Sequence, residues 1–260
     1  MEKTLLIHCT QPFAQYRNPF TFYYAQTFPL PPKSTIIGML QNATHRYYDE
    51  SFWNLNVSVH GGFESVFWNY SNLIKGDIVL KNYTLYNQRY PLYGAQKTSQ
   101  RTPVHMQEMY NGHLWIFLRG EERILNNIKA SLLKPKKALS IGRSEDLIFI
   151  KNAEFVESKQ EKQVEKNLRL SYPMFLSHSL PLKNKKFPVY SIPTKILFQN
   201  NGETVKCKSE ITKDTERKPE FTTVIYTGLN FTAYLSEKIT IEEYDINGDK
   251  FKIPYDYGWF

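Results

Sequence analysis

Four runs of apolar or alternating residues in the first 157 positions predict β-strands. They occupy residues 4–9, 55–60, 113–119 and 147–156. Successive side chains of a strand point to opposite faces of a sheet, and short apolar or alternating runs are typical of strands.

Two helices are predicted between these strands, from apolar residues that recur every three or four positions. The first begins at Ser34, a residue type favoured at helix N-caps, and its apolar stripe comprises Ile36, Leu40, Ala43 and Tyr47. The second has its stripe at Ile124, Ile128 and Leu132. The order β-α-β-β-α-β predicts an α+β fold of the ferredoxin-like type, with a long insertion at about residues 70–109.

The remainder of the chain predicts a small β-rich domain. Residues 158–170 hold few apolar side chains, which indicates a domain boundary or a solvated helix. The predicted domains are therefore residues 1–157 and 158–260. Near the C-terminus, Asn247-Gly248 lies between two alternating runs, and an Asn-Gly pair in that setting strongly predicts a β-hairpin.

Aromatic and basic residues concentrate near the N-terminus, in a stretch without acidic residues. From residue 3 to residue 48 the chain has no Asp or Glu, and its Lys and Arg residues in that range are Lys3, Arg17, Lys33 and Arg46. Rings interleaved with cations are typical of proteins that bind single-stranded nucleic acid, since rings stack on bases and cations pair with phosphates.

Within this stretch, Tyr16 and Arg17 are the candidates for contact with a ligand. The alternative for aromatic residues is the hydrophobic core, which is the expectation for Phe20, Phe22 and Phe28.

Three prolines then lead into the first predicted helix. Pro29, Pro31 and Pro32 favour an extended approach that ends at Lys33-Ser34-Thr35. Free backbone N–H groups and the positive end of the helix dipole make a helix N-terminus a seat for phosphate. An ordinary N-cap without a ligand is the alternative.

The insertion is also basic and rich in tyrosine. Between Lys75 and Gln107 it carries five Lys or Arg residues and a single Asp, a balance of +4. A projecting hairpin of this composition suits binding of a nucleic-acid strand, and a solvated edge insertion is the alternative. Its candidate contacts are Arg89, Tyr93, Gln96, Lys97, Arg101 and His105.

A third candidate is the loop that follows the second helix. A glycine turn at Gly142 followed by Arg143 can approach a phosphate closely. Glu145 and Asp146 follow at once, so a salt bridge of Arg143 within the loop is the alternative.

Signatures of catalysis or cofactor binding are missing from the sequence. It contains no P-loop, no H-E-x-x-H, no G-x-S-x-G and no G-x-G-x-x-G, and its six histidines have no metal-ligand spacing. No cofactor or metal is therefore predicted. His45 or His105 could act as acid or base in metal-free RNA cleavage, but the expectation is a protein that is not an enzyme.

The net charge of the chain indicates a class of partner, and its cysteine content indicates a cellular compartment. The sequence has 33 Lys and Arg against 25 Asp and Glu, a formal net charge of +8. This excess suggests a polyanionic partner, either nucleic acid or an acidic membrane surface, and a merely basic soluble protein is the alternative. Two widely separated cysteines, no signal peptide and no apolar run longer than five residues predict a cytoplasmic protein without a membrane partner.

Two segments resemble the Cas-five subunits of type I CRISPR Cascade complexes. They are PFTFYYAQTFPLPPKSTIIGML at residues 19–40 and LSIGRSEDLI at residues 139–148. The first is the more specific, with a proline-rich turn before S-T-I-I-G. The order of elements is also similar across about residues 1–157.

The resemblance implies a specific fold and specific partners. Cas-five proteins belong to the RAMP superfamily, with a ferredoxin-like, RRM-related N-terminal domain and a protruding thumb hairpin, here the insertion at 70–109. The implied partners are the 5′ handle of CRISPR RNA, a Cas-seven-like backbone subunit, a Cas-eight-like large subunit and target DNA near the PAM-proximal end. The candidate RNA-binding residues are Tyr16, Arg17, Lys33, Ser34, Thr35, Arg46, Arg89, Tyr93, Gln96, Lys97, Arg101, His105, Gly142 and Arg143.

Two other functions stay open. Type I-C members of this family cleave precursor RNA with a tyrosine, a lysine and a histidine. Tyr47 or Tyr48 and His105 are similarly placed, but no Lys-His pair lies near His105, so the chain is more similar to the non-cleaving type I-B members. A generic module that binds any single strand is the second alternative.

Overall fold

The computed structural model describes residues 3–75, 100–164, 166–184 and 186–260. These contain two α-helices, α1 (Lys33–Thr44) and α2 (Glu122–Leu133), and two short 3₁₀ helices at Glu50–Asn54 and Lys208–Glu210. The strands up to residue 156 are β1 (Thr4–Ala14), β2 (Tyr24–Ala25), β3 (Asn56–Lys75), β4 (Gln100–Arg119) and β5 (Phe149–Val156). The strands that follow are β6 (Gln160–Val164), β7 (Asn167–Leu170), β8 (Phe175–Ser177), β9 (Val189–Asn200), β10 (Glu203–Thr204), β11 (Glu216–Tyr226), β12 (Phe231–Tyr234), β13 (Ile239–Ile246) and β14 (Asp249–Pro254).

One antiparallel sheet organises the first half of the chain. Its long strands lie in the order β5-β1-β4-β3, with Ile7 opposite Ile116 and Val59 opposite the same residue on the other side. The two-residue strand β2 pairs in parallel with β4, beyond the end of β1. The main elements follow one another as β1-α1-β3-β4-α2-β5, which confirms the predicted order and the mixed α+β class.

Both helices pack on one face of this sheet. Alternate residues of β1 and β4, such as Leu5, Ile7 and Ile116, are fully buried against apolar residues of α1 and α2. In α1 the predicted stripe residues Ile36 and Leu40 are fully buried and Ala43 is 5% exposed. The helix ends at Thr44, where His45 adopts φ 57°, so Tyr47 lies outside it, contrary to the prediction.

The opposite face of the sheet is covered by strands from the C-terminal part. Leu6 and Phe117 point to this side and pack with residues of β7, β12, β13 and β14. At the edge of this core, the buried Arg119 donates hydrogen bonds to Thr4 Oγ1 at 3.2 Å and to Tyr244 Oη at 2.6 Å, and forms an ion pair with Glu242. The division at residue 157 stays a prediction, since both cores contain residues from either side of it.

The β3–β4 hairpin is longer than the sequence predicts. Both strands have 20 residues, and they pair from Asn56 opposite Arg119 to Lys75 opposite Gln100. Residues 70–75 and 100–109, which were expected in the insertion, are therefore strand. The rest of the predicted insertion lies outside the described residues.

Two further expectations have a clear outcome in the C-terminal part. Residues 158–170 were expected to be a boundary or a solvated helix, and the helix is wrong, because β6 and β7 lie there and pair with β13 and β12. The polar sequence is strand because these partners supply the hydrogen bonds. The hairpin at Asn247-Gly248 is confirmed: both residues have positive φ, and Ile246 pairs with Asp249.

Candidate nucleic-acid interface

A groove of about 670 Å³ lies between the start of α1, the loop after β1 and the β9–β11 hairpin. We call it the arginine groove, because its charged lining side chains are those of Arg17 and Arg217. Of the described residues that line it, none is acidic. They are Arg17, Pro19, Ser34, Thr35, Gly38, Gly142, Pro193, Ile196, Arg217, Pro219 and Phe221.

The loop that carries Arg17 is held by backbone pairing with residues upstream of α1. Arg17 and Thr27 form an isolated antiparallel bridge, and the N–H of Phe28 donates to the carbonyl of Tyr16 at 2.8 Å. The guanidinium of Arg17 lies 5.8 Å from the centroid of the Phe22 ring. Among the described residues, Arg17 has no carboxylate partner, so its charge is available to an anion in the groove.

The floor of the groove is the first half of α1. The N-cap is Pro32 and the helix begins at Lys33, so the prediction of Ser34 as N-cap is wrong. A carboxylate is missing from the first turn, and the N-cap has no side-chain hydrogen bond. Ser34 is 6% exposed and lines the groove, and none of the described residues forms a hydrogen bond with its hydroxyl. The Ser34 hydroxyl is not among the fully buried polar atoms, so it is accessible from the groove and can donate to a ligand oxygen.

Two glycines keep the walls of the groove open. Gly142 has φ 106°, and a Cβ atom there would lie 2.8 Å from Asp146 Oδ2 and 2.9 Å from the Gln15 carbonyl oxygen. Only glycine fits this turn. Gly38 sits on the exposed side of α1, where a Cβ atom would have no neighbour within 4 Å.

Arg143 does not serve the groove as predicted, because acidic neighbours hold its guanidinium. It forms ion pairs with Glu108 at 2.6 Å, Asp146 at 2.8 Å and Glu145 at 3.3 Å. Burial by itself would lower the pKa of Arg143, but hydrogen bonds to Asp146 and Glu108 raise it above the ordinary value. The salt bridge within the loop, considered as the alternative, is therefore the observed arrangement.

The aromatic residues near the N-terminus are distributed differently from the expectation. Tyr16 is 2% exposed, and its hydroxyl donates to Gln11 Oε1, so its ring cannot stack on a ligand. Burial raises the pKa of Tyr16 well above its usual value. Phe28 is buried as predicted, whereas Phe20 and Phe22 are 67% and 45% exposed. The expectation that these two belong to the core is wrong.

Lys33 and Arg46 are engaged within the protein. The ammonium of Lys33 donates to the carbonyl of Trp53 at 3.0 Å, and burial lowers its pKa to about 8. Arg46 forms an ion pair with Asp49 and lies 5.5 Å from the centroid of the Phe52 ring. Neither residue lines the arginine groove. Thr35, by contrast, does line it.

His105 belongs to a separate aromatic cluster on the β3–β4 hairpin. Its ring stacks on that of Tyr24, with centroids 5.2 Å apart and planes 9° apart, and it meets the edge of Tyr70 at 5.5 Å. Tyr24 also contacts Trp68, at 6.2 Å between centroids. We call Tyr24, Trp68, Tyr70 and His105 the ribbon platform. The rings of Tyr24, Trp68 and Tyr70 are about half exposed or more.

The remaining predicted contacts fall mostly outside the described residues. This is the case for Arg89, Tyr93, Gln96 and Lys97. The backbone of Arg101 lies in β4, opposite Ile74.

A tyrosine, a lysine and a histidine meet at another place. The ammonium of Lys137 donates to the hydroxyl of Tyr47 at 2.6 Å, and the His45 and Tyr47 rings lie 6.5 Å apart between centroids. The Tyr47 hydroxyl donates in turn to Asn42 Oδ1 at 2.9 Å. Sequence reasoning considered Tyr47 and His45 but missed Lys137, which is distant in the chain.

Arg217 and Phe221 are the other site residues that sequence reasoning missed. They lie on β11, where Arg217, Pro219 and Phe221 share one face because strand side chains alternate. Extending the predicted strand PEFTTVIYT by two residues toward the N-terminus would have placed Arg217 beside the other two. Nothing in the sequence indicates which neighbour this face meets.

Two general features complete the description of the surface. Among the described residues, no three His, Cys, Asp or Glu are grouped so that they could hold a metal ion. Within the same part of the chain, neither helix has the length and apolar character to span a membrane.

Comparisons with protein-family models and with solved structures found matches to this chain. A family model described as CRISPR-associated protein (Cas_Cas5) matches residues 4–230. None of the curated proteins matches this sequence. A solved structure named "CRISPR RNA-guided surveillance complex" is 11% identical, with a TM-score of 0.52, and the match covers 88% of this chain and 91% of the other. A CRISPR protein from Archaeoglobus fulgidus is 11% identical over 96% of this chain and 98% of its own, with a TM-score of 0.45. At these identities the first structure is similar to this chain in fold.

Proposed function

Because the chain belongs to the Cas_Cas5 family of CRISPR-associated proteins, we propose that it is a subunit of a CRISPR surveillance complex and holds the 5′ handle of the CRISPR RNA in the arginine groove. The observation that carries this proposal is the lining of the groove. Two arginines line it, no described acidic residue lines it, and the accessible hydroxyl of Ser34 has no hydrogen-bond partner among the described residues. Such a cavity attracts an anion.

The chemistry of the groove suits a phosphodiester. Guanidinium groups bind phosphate oxygens with several hydrogen bonds, and the positive end of the α1 dipole, where Ser34 and Thr35 line the groove, also favours an anion. Gly142 and Gly38 leave room for a polymer backbone to come close to the protein. The exposed ring of Phe20 and the ribbon platform provide faces on which unpaired bases can stack.

The proposal extends to the fold and the partners. The strand order β5-β1-β4-β3, with α1 and α2 on one face, supports a ferredoxin-like, RRM-related domain, and the 20-residue strands β3 and β4 support a thumb hairpin that leaves it. The proposed neighbours are a Cas-seven-like backbone subunit, which this subunit caps, a Cas-eight-like large subunit, and target DNA near the PAM-proximal end.

The salt dependence of RNA binding tests this proposal. Each phosphate of a single strand that a cation neutralises contributes roughly −0.7 to the slope of log K against log salt. We expect Arg17→Ala to flatten the slope by about 0.7 for a transcript of the CRISPR repeat from the same genome. The measurement is fluorescence anisotropy across a salt series, with a polyuridine RNA of equal length for comparison.

A matched control keeps the result specific. Arg123→Ala removes an equal charge from α2, where Arg123 pairs with Glu121 on the exposed surface, and it should leave the slope unchanged. Equal slopes for the wild type and for a folded Arg17→Ala variant would contradict phosphate binding in the groove. Equal affinity for repeat and polyuridine RNA would favour a generic binding module.

We further propose that the subunit does not cleave RNA. A general acid and a general base must both reach the scissile phosphate, and among the described residues the ring of His105 lies against Tyr24 and Tyr70. The second candidate function, metal-independent cleavage, is favoured by a different observation. Tyr47, Lys137 and His45 supply the three residue types of a metal-free ribonuclease on one surface.

Incubation with the full repeat transcript distinguishes the two. We expect intact RNA after incubation with or without magnesium. The same assay with Tyr47→Phe and His105→Ala identifies the responsible site if products form. Discrete products that Tyr47→Phe abolishes would establish the nuclease and overturn the non-catalytic assignment.

A further inference from the structure

The C-terminal part of the chain forms one wall of the arginine groove. Five of the lining residues belong to the β9–β11 hairpin: Pro193, Ile196, Arg217, Pro219 and Phe221. On β9 the two residues that face the groove are three positions apart, because the pairing with β11 shifts register between Glu220 and Phe221. A bulge of this kind rotates one strand relative to the other and directs both side chains to the same side.

Arg217 presents its charge to this groove and to no carboxylate. Among the described residues it forms no ion pair, and it lines the groove together with Arg17. Its neighbour Lys218 points to the other face of β11, where it pairs with Glu216 at 3.3 Å. Two like charges that face one cavity repel each other unless an anion lies between them. The arrangement of Arg17 and Arg217 is therefore suited to a bound phosphate.

An aromatic contact joins the two walls. The ring of Phe20, from the loop after Arg17, lies 5.3 Å from the ring of Phe221 between centroids. Phe20 is 67% exposed and Phe221 is 38% exposed. The pair connects the N-terminal loop to β11 across one end of the groove and leaves aromatic surface for a base or ribose.

We propose that the β9–β11 hairpin is a second RNA-binding wall, in which Arg217 contacts the same handle phosphates as Arg17 from the opposite side. This inference rests on the proposed function and adds to it a binding residue from the C-terminal part of the chain. The ligand is single-stranded RNA, with phosphate between the two guanidinium groups and a base or ribose against Phe20 and Phe221.

The experiment compares two adjacent residues of one strand. Arg217→Ala in the full chain should flatten the salt slope for the repeat transcript by about 0.7 and weaken binding at 0.1 M salt by about fivefold. Arg217→Lys should restore the slope, because it restores the charge. Lys218→Ala removes an equal charge from the opposite face of β11, and it should leave both slope and affinity unchanged.

Each outcome distinguishes this inference from the proposed function. If Arg17→Ala flattens the slope and Arg217→Ala behaves like Lys218→Ala, Arg217 does not bind the RNA. The inference of a second RNA-binding wall is then wrong, and the proposed function stands. If neither arginine variant changes binding, both are wrong. If Arg217→Ala and Arg217→Gln both lower the melting temperature strongly, Arg217 is structural and the second wall is again wrong.

Discussion

Arg143 and Arg17 differ in what surrounds their guanidinium groups. Arg143 is fixed by Glu108, Glu145 and Asp146, so a phosphate would have to displace a carboxylate that is already bound. Asp146 also accepts hydrogen bonds from the N–H groups of Gln15 and Arg143, at 3.0 and 2.9 Å, and thereby ties the glycine loop to the end of β1. Arg143 therefore positions Gly142 at the groove. Arg17, which has no carboxylate partner among the described residues, is the arginine proposed to bind the ligand.

The buried ammonium of Lys33 predicts that the free energy of unfolding depends on pH. Burial lowers its pKa to about 8, with a smaller contribution from the charge of Lys195. Below pH 8 the folded protein carries the cost of a buried ammonium. As pH rises from about 8 to the ordinary lysine value of 10.5, the unfolded state binds more protons than the folded state, and this residue makes folding more favourable.

The variant Lys33→Met removes this titration. We expect Lys33→Met to be more stable than the wild type at pH 7 and this advantage to shrink as pH increases above 8, because the wild type then loses its buried charge. Denaturant unfolding at pH 7, 8, 9 and 10 measures it. Lys136→Met, at an exposed position, is the control and should show a constant difference from the wild type. A pH-independent difference for Lys33→Met would contradict the buried-charge explanation.

Elements with strong apolar periodicity are the ones that the sequence predicts well. Ile36, Leu40 and Ala43 identify α1, because a helix that packs on a sheet must place apolar residues on one side. For the same reason the sequence predicts the order of the four long strands in the first half. It does not predict the lengths of β3 and β4, because the polar residues that extend these two strands pair with each other away from the core.

Other elements depend on partners that are distant in the sequence. Residues 160–164 contain one apolar residue, yet they form β6 because β13 pairs with them along its edge. Tyr16 and Phe20 lie four residues apart in one loop, and only the fold decides that the first is buried and the second exposed. Composition located the candidate site at the start of the chain, but it could not place β11 across from it.

At the scale of the whole molecule, the central sheet separates two different environments. One face carries the helices and the arginine groove, and the other packs on the C-terminal strands around Phe117, Tyr244 and Phe251. Before β12, β13 and β14 form, β9 and β11 contribute residues to the core on the helical side. A protein arranged in this way can bind RNA on one side and leave the outer surface of its C-terminal strands to a neighbouring subunit.

The β3–β4 hairpin provides the last prediction, because it extends beyond the sheet on which both cores depend. Lys75 and Gln100 are paired, so residues 76–99 can be replaced by Asn-Gly, a dipeptide suited to a two-residue hairpin turn. An excision that extended to residue 102 would remove part of β4. We expect the shortened protein to fold, since loops between paired strands can be shortened at small entropic cost.

The shortened protein should fold but bind RNA more weakly than the wild type. The replaced segment contains Lys81, Arg89, Lys97 and four tyrosines against Asp77, so its loss removes cations and rings that can grip RNA. Each base that loses its stacking partner weakens binding by about 1–3 kcal/mol. If the proposed Cas-seven-like neighbour also binds this segment, its assembly with the shortened protein should fall further, because both the RNA and the protein contact are lost. The double variant Arg89→Ala with Lys97→Ala keeps the length of the segment and removes only two charges, so it distinguishes the effect of charge from the effect of the missing segment.

The measurement is co-purification with the complex and its RNA. Wild-type stoichiometry for the shortened protein would mean that the segment is a solvated loop.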